Sequence, residues 1–178
     1  MLSFVRNFFV PQFDLIDTKT SDFEIIKDLF IDGVNNGSYE KSIISDKNQF
    51  HHMIEHMTNG KHGADARGRN AITLSCALYE KETIGFMTLA IDSANKEIEI
   101  WYFSILPKYR HSGNGTKYME VLFKMINREF PNYSLMARCK EKSKEMTKIL
   151  HNFNFKAVSI NKEDYVIYKL AKVSSWLN

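Results

Sequence analysis

A mixed α/β fold, with a central, mostly antiparallel sheet flanked by about four helices, is what this sequence predicts, and three observations predict it. Apolar residues recur at helical spacing in four separate segments. Runs of strand length rich in β-branched and aromatic residues lie between them, three in succession from Ala71 to Leu106. A strand, helix, strand succession from Glu97 to Cys139 supplies one crossover, the connection a parallel pair requires. The length of 178 residues suits a single domain over 1–178 with a real core, and 44% apolar with 25% charged residues excludes disordered and fibrous classes.

Residues Phe13 to Thr18 alternate apolar and polar side chains, the pattern of a half-buried strand. Ser21-Asp-Phe-Glu24 then carries a capping-box signature ahead of Phe23, Ile26 and Phe30, so a helix follows. Gly33 to Lys41 is polar and turn-rich. From Asp46, Phe50, Met53, Ile54 and Met57 mark a second helix that ends near Asn59 and Gly60. A Gly-containing loop, Asn59 to Asn70, leads into Ala71–Tyr79, Thr83–Ile91 and Glu97–Leu106, an antiparallel meander. Tyr118, Val121, Leu122, Met125 and Ile126 define one face of a long helix, and Tyr133 to Cys139 is the next strand. Met146, Ile149, Leu150 and Phe153 trace a shorter helix. Phe155–Ile160 and Tyr165–Leu170 close the chain as a hairpin around Asn161 to Asp164, and the apolar stretch Leu2 to Val10 is expected to tuck against the core.

The 24 Lys and Arg residues against 21 Asp and Glu leave a formal charge of +3, too small and dispersed for a dedicated nucleic-acid binder. Two cysteines, Cys76 and Cys139, make neither a disulfide scaffold nor a zinc site, and a reducing, cytoplasmic setting is expected. No segment has the apolar length of a membrane span, so no membrane partner is expected.

The stretch that carries chemistry runs from Ile105 through Leu106, Pro107, Arg110, His111, Ser112, Gly113, Asn114 and Gly115 to Thr116, a strand end passing through a Gly-containing turn into a long helix. The first-turn N–H groups of a helix point outward with the positive end of its dipole. Gly113 and Gly115 let a bulky anion approach the backbone, while Arg110, His111 and Lys117 add cations, so a pyrophosphate fits without a metal. A purely structural reading makes the two glycines a tight turn.

The pattern Arg110-x-x-Gly113-x-Gly115, after a strand ending Ile105-Leu-Pro, resembles the acyl-CoA-binding motif of the GNAT superfamily of N-acetyltransferases, and the order of elements resembles that family over most of the chain. The resemblance implies acetyl-CoA as co-substrate, no metal, and direct acetyl transfer to a primary amine on a small molecule or a protein, by a monomer or homodimer. It implies that Ile105 and Leu106 contact the pantetheine arm, that a main-chain N–H near Leu106 polarises the thioester carbonyl, and that Arg110 to Thr116 cradle the pyrophosphate. Ser143 falls where many members place a pantetheine-contacting Asn. Leu150 stands where a Tyr often protonates the thiolate, which leaves water or the adjacent His151 to supply that proton, and Asn154 replaces a usual Gly. Glu99 is spaced before the turn as in members that use a glutamate base, whereas Glu97 is the bystander.

Two other classes compete. One is a GNAT-like protein that binds acyl-CoA without catalysis, suggested by the missing Tyr. The other is a zinc hydrolase, because His52-Met-Ile-Glu55-His56 matches H-x-x-E-H. The basic stretch Arg138, Lys140, Lys142, Lys144 and Lys148, interleaved with Glu141 and Glu145, reads as a solvated face, with Lys144 and Lys148 as the alternative contact for the 3′-phosphate of CoA or for an acidic macromolecule. Tyr39 and the 59–70 loop are candidate walls of the acceptor groove.

Overall fold

A computed structural model describes residues 13–59, 63–65, 67–78, 82–160 and 165–170; the N-terminal stretch Leu2 to Val10 and the turn Asn161 to Asp164 lie outside them. The described strands are β1 (Phe13–Asp17), β2 (Gly63–Ala64), β3 (Asn70–Leu78), β4 (Glu82–Asp92), β5 (Glu97–Ile105), β6 (Ser134–Lys140), β7 (Lys156–Ile160) and β8 (Tyr165–Leu170). The helices are α1 (Phe23–Asn35), α2 (Lys47–Thr58), α3 (Asn114–Glu129) and α4 (Lys144–Asn152). In the sheet the strands lie in the order β1-β3-β4-β5-β6-β8-β7, with β2 paired to β3. All pairs are antiparallel except β5 with β6, which the α3 crossover joins in parallel. The expected mixed, mostly antiparallel sheet with four helices is the architecture found.

Each face of the sheet carries one helix pair. Tyr118, Met119, Leu122, Phe123 and Ile126 of α3, with Leu150 of α4, pack on Ile98, Ile100, Leu135 and Ala137. The fully buried Tyr118 donates its hydroxyl to Ala77 O at 2.7 Å, so no polar group is stranded there. On the other face Ile26, Leu29 and Phe30 of α1 and Phe50 and Ile54 of α2 meet Phe86, and Tyr102 packs against them. Among the described residues no helix is long and apolar enough to cross a membrane.

Two details differ from expectation. The Ser21–Glu24 capping box does not form; a turn of 3-10 helix fills Thr20–Asp22 and α1 starts at Phe23. Asp22 is buried, accepting from Lys19 N at 2.9 Å and from Ser75 Oγ at 2.7 Å, while Glu24 pairs with Lys27 on the surface. The short strand β2 lies inside the Gly-containing loop, where two residues carry no alternation to read.

Candidate active site

The site begins with a defect in a strand. Leu89 pairs with Ile100 and Thr88 with Tyr102, so Trp101 is the extra residue of a β-bulge in β5. The bulge turns two consecutive rings to the α1–α2 face, and Trp101 and Tyr102 stack there with centroids 5.4 Å apart. It also coincides with a separation of strands. The β5–β6 ladder ends at Ile100 and Ala137, after which β6 continues paired with β8 alone. Between the parted strands opens a cleft of about 680 Å³, lined by Glu99 to Ile105, Arg110, His111, Gly115, Ala137 to Cys139, Lys142 to Met146 and residues of the α1 end such as Tyr39.

Past the bulge, β5 shows this cleft its backbone. Leu106 N–H donates to Ile84 O at 2.8 Å, toward β4. Successive residues of a strand alternate their main-chain groups, so Phe103 and Ile105 face the opposite way, into the cleft. Their carbonyls agree: Phe103 O accepts from Tyr39 Oη at 3.1 Å and Ile105 O from Arg110 Nε at 2.6 Å. The N–H expected at Leu106 to polarise a carbonyl is therefore occupied, because the ladder with β4 continues one residue past the strand; the cleft-facing amides belong to Phe103 and Ile105.

The turn after β5 leads into α3 with its donors uncovered. Gly113 is the N-cap with φ +84°, and among the described residues no side chain caps the helix. A Cβ built on Gly113 meets nothing within 4 Å, while one on Gly115 comes within 2.9 Å of Ile149 Cδ1. Gly113 thus provides a left-handed bend and open space, and Gly115 lets α4 close in. Ser112 Oγ and Asn114 Nδ2 both donate to Tyr109 O, at 3.1 and 2.8 Å, and stitch the turn rather than cover it. His111 also has positive φ, 61°. Arg110 braces the arrangement by pairing with Asp32 of α1 at 2.6 Å. Ser143 lines the same cleft at the start of α4, whereas Thr116 lies in the first turn of α3 and is not among the lining residues.

The carboxylate expected to act as a base sits differently. Glu99 is 1% exposed, and each of its oxygens is held by a guanidinium, Oε2 by Arg69 Nη1 and Oε1 by Arg138 Nε, both at 2.6 Å. Arg69 in turn binds Asp65 at 2.7 Å, and Asp65 Oδ1 accepts the amides of Arg67 and Arg69 at 2.9 Å. Burial pushes the Asp65 carboxyl up, but the Arg69 amide, the Arg69 guanidinium and the Arg67 amide together hold it below its ordinary value. Burial likewise disfavours the Arg69 charge, and hydrogen bonds to Glu99 and Asp65 outweigh it. The result is a line of alternating charge, Asp65, Arg69, Glu99, Arg138, none of which sequence reasoning joined. The one local signal was an Asp and an Arg four apart in the 59–70 loop.

Leu150 is fully buried in the core, and His151 is exposed on α4, its ring edge-on to Tyr168 at 5.5 Å. Neither lines the cleft, because α4 turns that side toward β8 and the core. Of the hydroxyls that do, burial pushes Tyr102 up to about 12 and raises Tyr39 further above its ordinary value. Asn154 has φ 60°, the left-handed conformation that a Gly would also supply. Tyr39 lines the cleft. Gly63 to Asp65 of the loop, with His56, border a smaller hollow of about 310 Å³ that shares Trp101 and Tyr102. His52 is exposed and bound to Glu55 at 3.0 Å, and Glu55 also meets His51 at 3.4 Å. Among the described residues no three His, Cys, Asp or Glu side chains converge as a metal site.

Comparison with known proteins points one way. The model of the acetyltransferase (GNAT) family matches residues 41–153. No curated protein matches in sequence. Among solved structures, a spermidine N-acetyltransferase from Vibrio cholerae in complex with CoA and spermine superposes with TM-score 0.70 at 12% identity, over 94% of this chain and 99% of that one. A GNAT-family acetyltransferase from Bacillus anthracis gives 0.69 at 13% identity, over 89% and 94%. The PaiA N-acetyltransferase from Thermoplasma acidophilum in complex with coenzyme A gives 0.60 at 14% identity, over 90% and 99%. At these identities the likeness is one of fold.

Proposed function

The chain belongs to the GNAT family of acetyltransferases, and from that premise we propose that it moves the acetyl group of acetyl-CoA to a primary amine by direct attack in a ternary complex. One observation carries the reading: β5 and β6 part at Ile100 and Ala137, and the gap opens onto the uncapped first turn of α3. A long thioester with a diphosphate at one end matches a cleft with an anion site at one end. The neighbours' CoA complexes support the same ligand.

In this reading the pyrophosphate takes the free amides around Gly113 to Thr116, and Ser143 meets the pantetheine arm. The arm runs along β5, bonding the cleft-facing groups of Phe103 and Ile105 in place of the missing strand. One of those N–H groups also serves the developing oxyanion, a preorganised donor of the kind worth several kcal/mol, on the order of 3, in acyl transfer. The amine nitrogen bonds to the carbonyl carbon, the C–S bond breaks, and the nitrogen loses a proton. Arg138 beside the cleft disfavours an ammonium at the same place, which helps present the amine neutral. The proton leaves through water, and the thiolate collects one from water in the open cleft. Glu99 acts through the arginines it holds. Most of the rate then comes from alignment.

Calorimetry with acetyl-CoA and a thiol-release assay over a panel of amines test this. Saturable heat and amine-dependent CoA release are expected. Absence of heat removes the transferase reading, and heat with no release for any amine leaves a binding protein.

A further inference from the structure

The acceptor face of the cleft is built from Glu99, Trp101 and Tyr102 of β5, Arg138 of β6 and Tyr165 of β8. Its carboxylates are already matched. Glu99 lies between Arg69 and Arg138, and Glu40 accepts from Lys140 at 2.6 Å and from Tyr165 at 2.8 Å. The line Asp65, Arg69, Glu99, Arg138 holds two negative and two positive charges. A polycationic acceptor therefore finds Glu99 and Glu40 already paired, and Glu145 of α4 is the one further carboxylate among the described residues that line the cleft.

What the face does offer is one end of that line. Asp65, Arg69 and Glu99 have side chains 1 to 8% exposed, whereas Arg138 keeps 22% and lines the cleft. A guanidinium carries five N–H donors in a planar fork. Glu99 takes Nε–H, and among the described residues Arg138 Nη1 and Nη2 have no acceptor. With Nε fixed on a buried carboxylate, the plane of the fork is set in advance, the geometry that receives a planar carboxylate through two parallel bonds. Arg138 is also the first residue of β6 beyond the last rung with β5, so it stands where the strands part and beside the bulged Trp101. An amine attacking a thioester lodged there brings groups two or three bonds from its nitrogen within reach of that fork. The stacked Trp101 and Tyr102 rings give an apolar surface alongside.

We infer that the acceptor is a small amine carrying a carboxylate near its nitrogen, an amino-acid-like molecule whose carboxylate docks on Arg138, with Glu99 as the positioning residue that holds Arg138. The inference rests on the acetyl-transfer reading for the identity of the site, but its test does not require turnover. The CoA-saturated protein is titrated calorimetrically with three matched pairs: phenylalanine and phenethylamine, leucine and 3-methylbutylamine, methionine and 3-(methylthio)propylamine. Spermidine is titrated beside them. At least one amino acid should bind roughly ten- to a hundredfold more tightly than its decarboxylated partner, the range of a charge-assisted contact. The preference should vanish in Arg138→Gln and return in part in Arg138→Lys, a point charge without the fork, with acetyl-CoA affinity unchanged in both. Equal binding within every pair, tighter binding of spermidine than of any amino acid, or a preference that survives Arg138→Gln overturns the inference. The wild-type pairs decide even if the variants fold poorly. Loss of acetyl-CoA heat is a separate result and strikes the transfer reading instead.

Discussion

The turn that opens α3 and the charged line behind β5 serve one cleft and are built in contrary ways. The turn keeps its donors uncapped: among the described residues no side chain caps Gly113, and the space a Cβ would occupy there is open. The line does the reverse, closing Asp65, Arg69 and both oxygens of Glu99 against one another and leaving Arg138 as its most exposed member at the cleft. An anion supplied by a cofactor is best met by backbone dipoles, which cost nothing to hold uncharged. An acceptor that must be oriented to a fraction of an ångström is better met by a side chain whose geometry is already fixed. Variants at the two places should accordingly fail differently, the line through folding and the turn through binding.

Glu99→Gln gives the largest effect. It leaves two guanidiniums, one of them 8% exposed, without their shared anion, and breaking such a buried pair from one side costs about 3–5 kcal/mol. A urea melt should show it. Were Glu99 instead a free base, the midpoint would hold and kcat alone would drop; that outcome erases the contrast between line and turn.

Asp65→Asn should cost less, about 1–3 kcal/mol, because Arg69 keeps Glu99. Its pH dependence sharpens the point. The folded Asp65 carboxyl is held below its ordinary value, so its contribution is fully present above the unfolded value of about 3.9 and drains as pH falls through the folded one. The gap between wild type and Asp65→Asn should be constant from pH 7 to about 5 and shrink below about 4. A gap that widens on acidification contradicts the closed line.

Gly113→Val tests the turn. A β-branched residue at φ +84° costs about 1–2 kcal/mol in the fold, and its methyls fill the space left for phosphate. In the transfer reading, acetyl-CoA affinity falls by about tenfold or more, as 1.4 kcal/mol is a tenfold change. Unchanged affinity places the diphosphate elsewhere.

The same contrast explains how far the sequence could be read. The turn is contiguous: strand end, Arg110, Gly113, Gly115 and helix lie within a dozen residues, and the need for a left-handed bend and uncapped amides shows in residue type. The strand and helix periods gave nearly every element for the same local reason. The line is not contiguous. Glu99 meets Arg69 across 30 residues and Arg138 across 39, and nothing in Glu-Ile-Trp-Tyr reveals that two guanidiniums wait on either side. The Leu106 amide escaped for a further reason: which backbone groups face a cleft depends on ladder phase, which a bulge at Trp101 shifts without changing the hydropathy pattern.

His151 offers the smallest effect and a clean separation of two ideas about the thiolate's proton. A histidine beside the position of the usual Tyr invites an acid role, but helix geometry sends neighbouring residues about 100° apart around the axis. Leu150 goes to the core, and His151 goes to solvent, edge-on to Tyr168 and outside the cleft. His151→Ala should therefore lose at most the ring contact, about 0.5–1.5 kcal/mol, and leave kcat within about twofold, under 0.5 kcal/mol of barrier. Solvent-isotope and pH profiles of wild type and variant should overlay, as they must when water supplies the proton. A tenfold fall in kcat, with an acidic group lost from the pH profile, returns His151 to the chemistry and requires α4 to turn when acetyl-CoA binds.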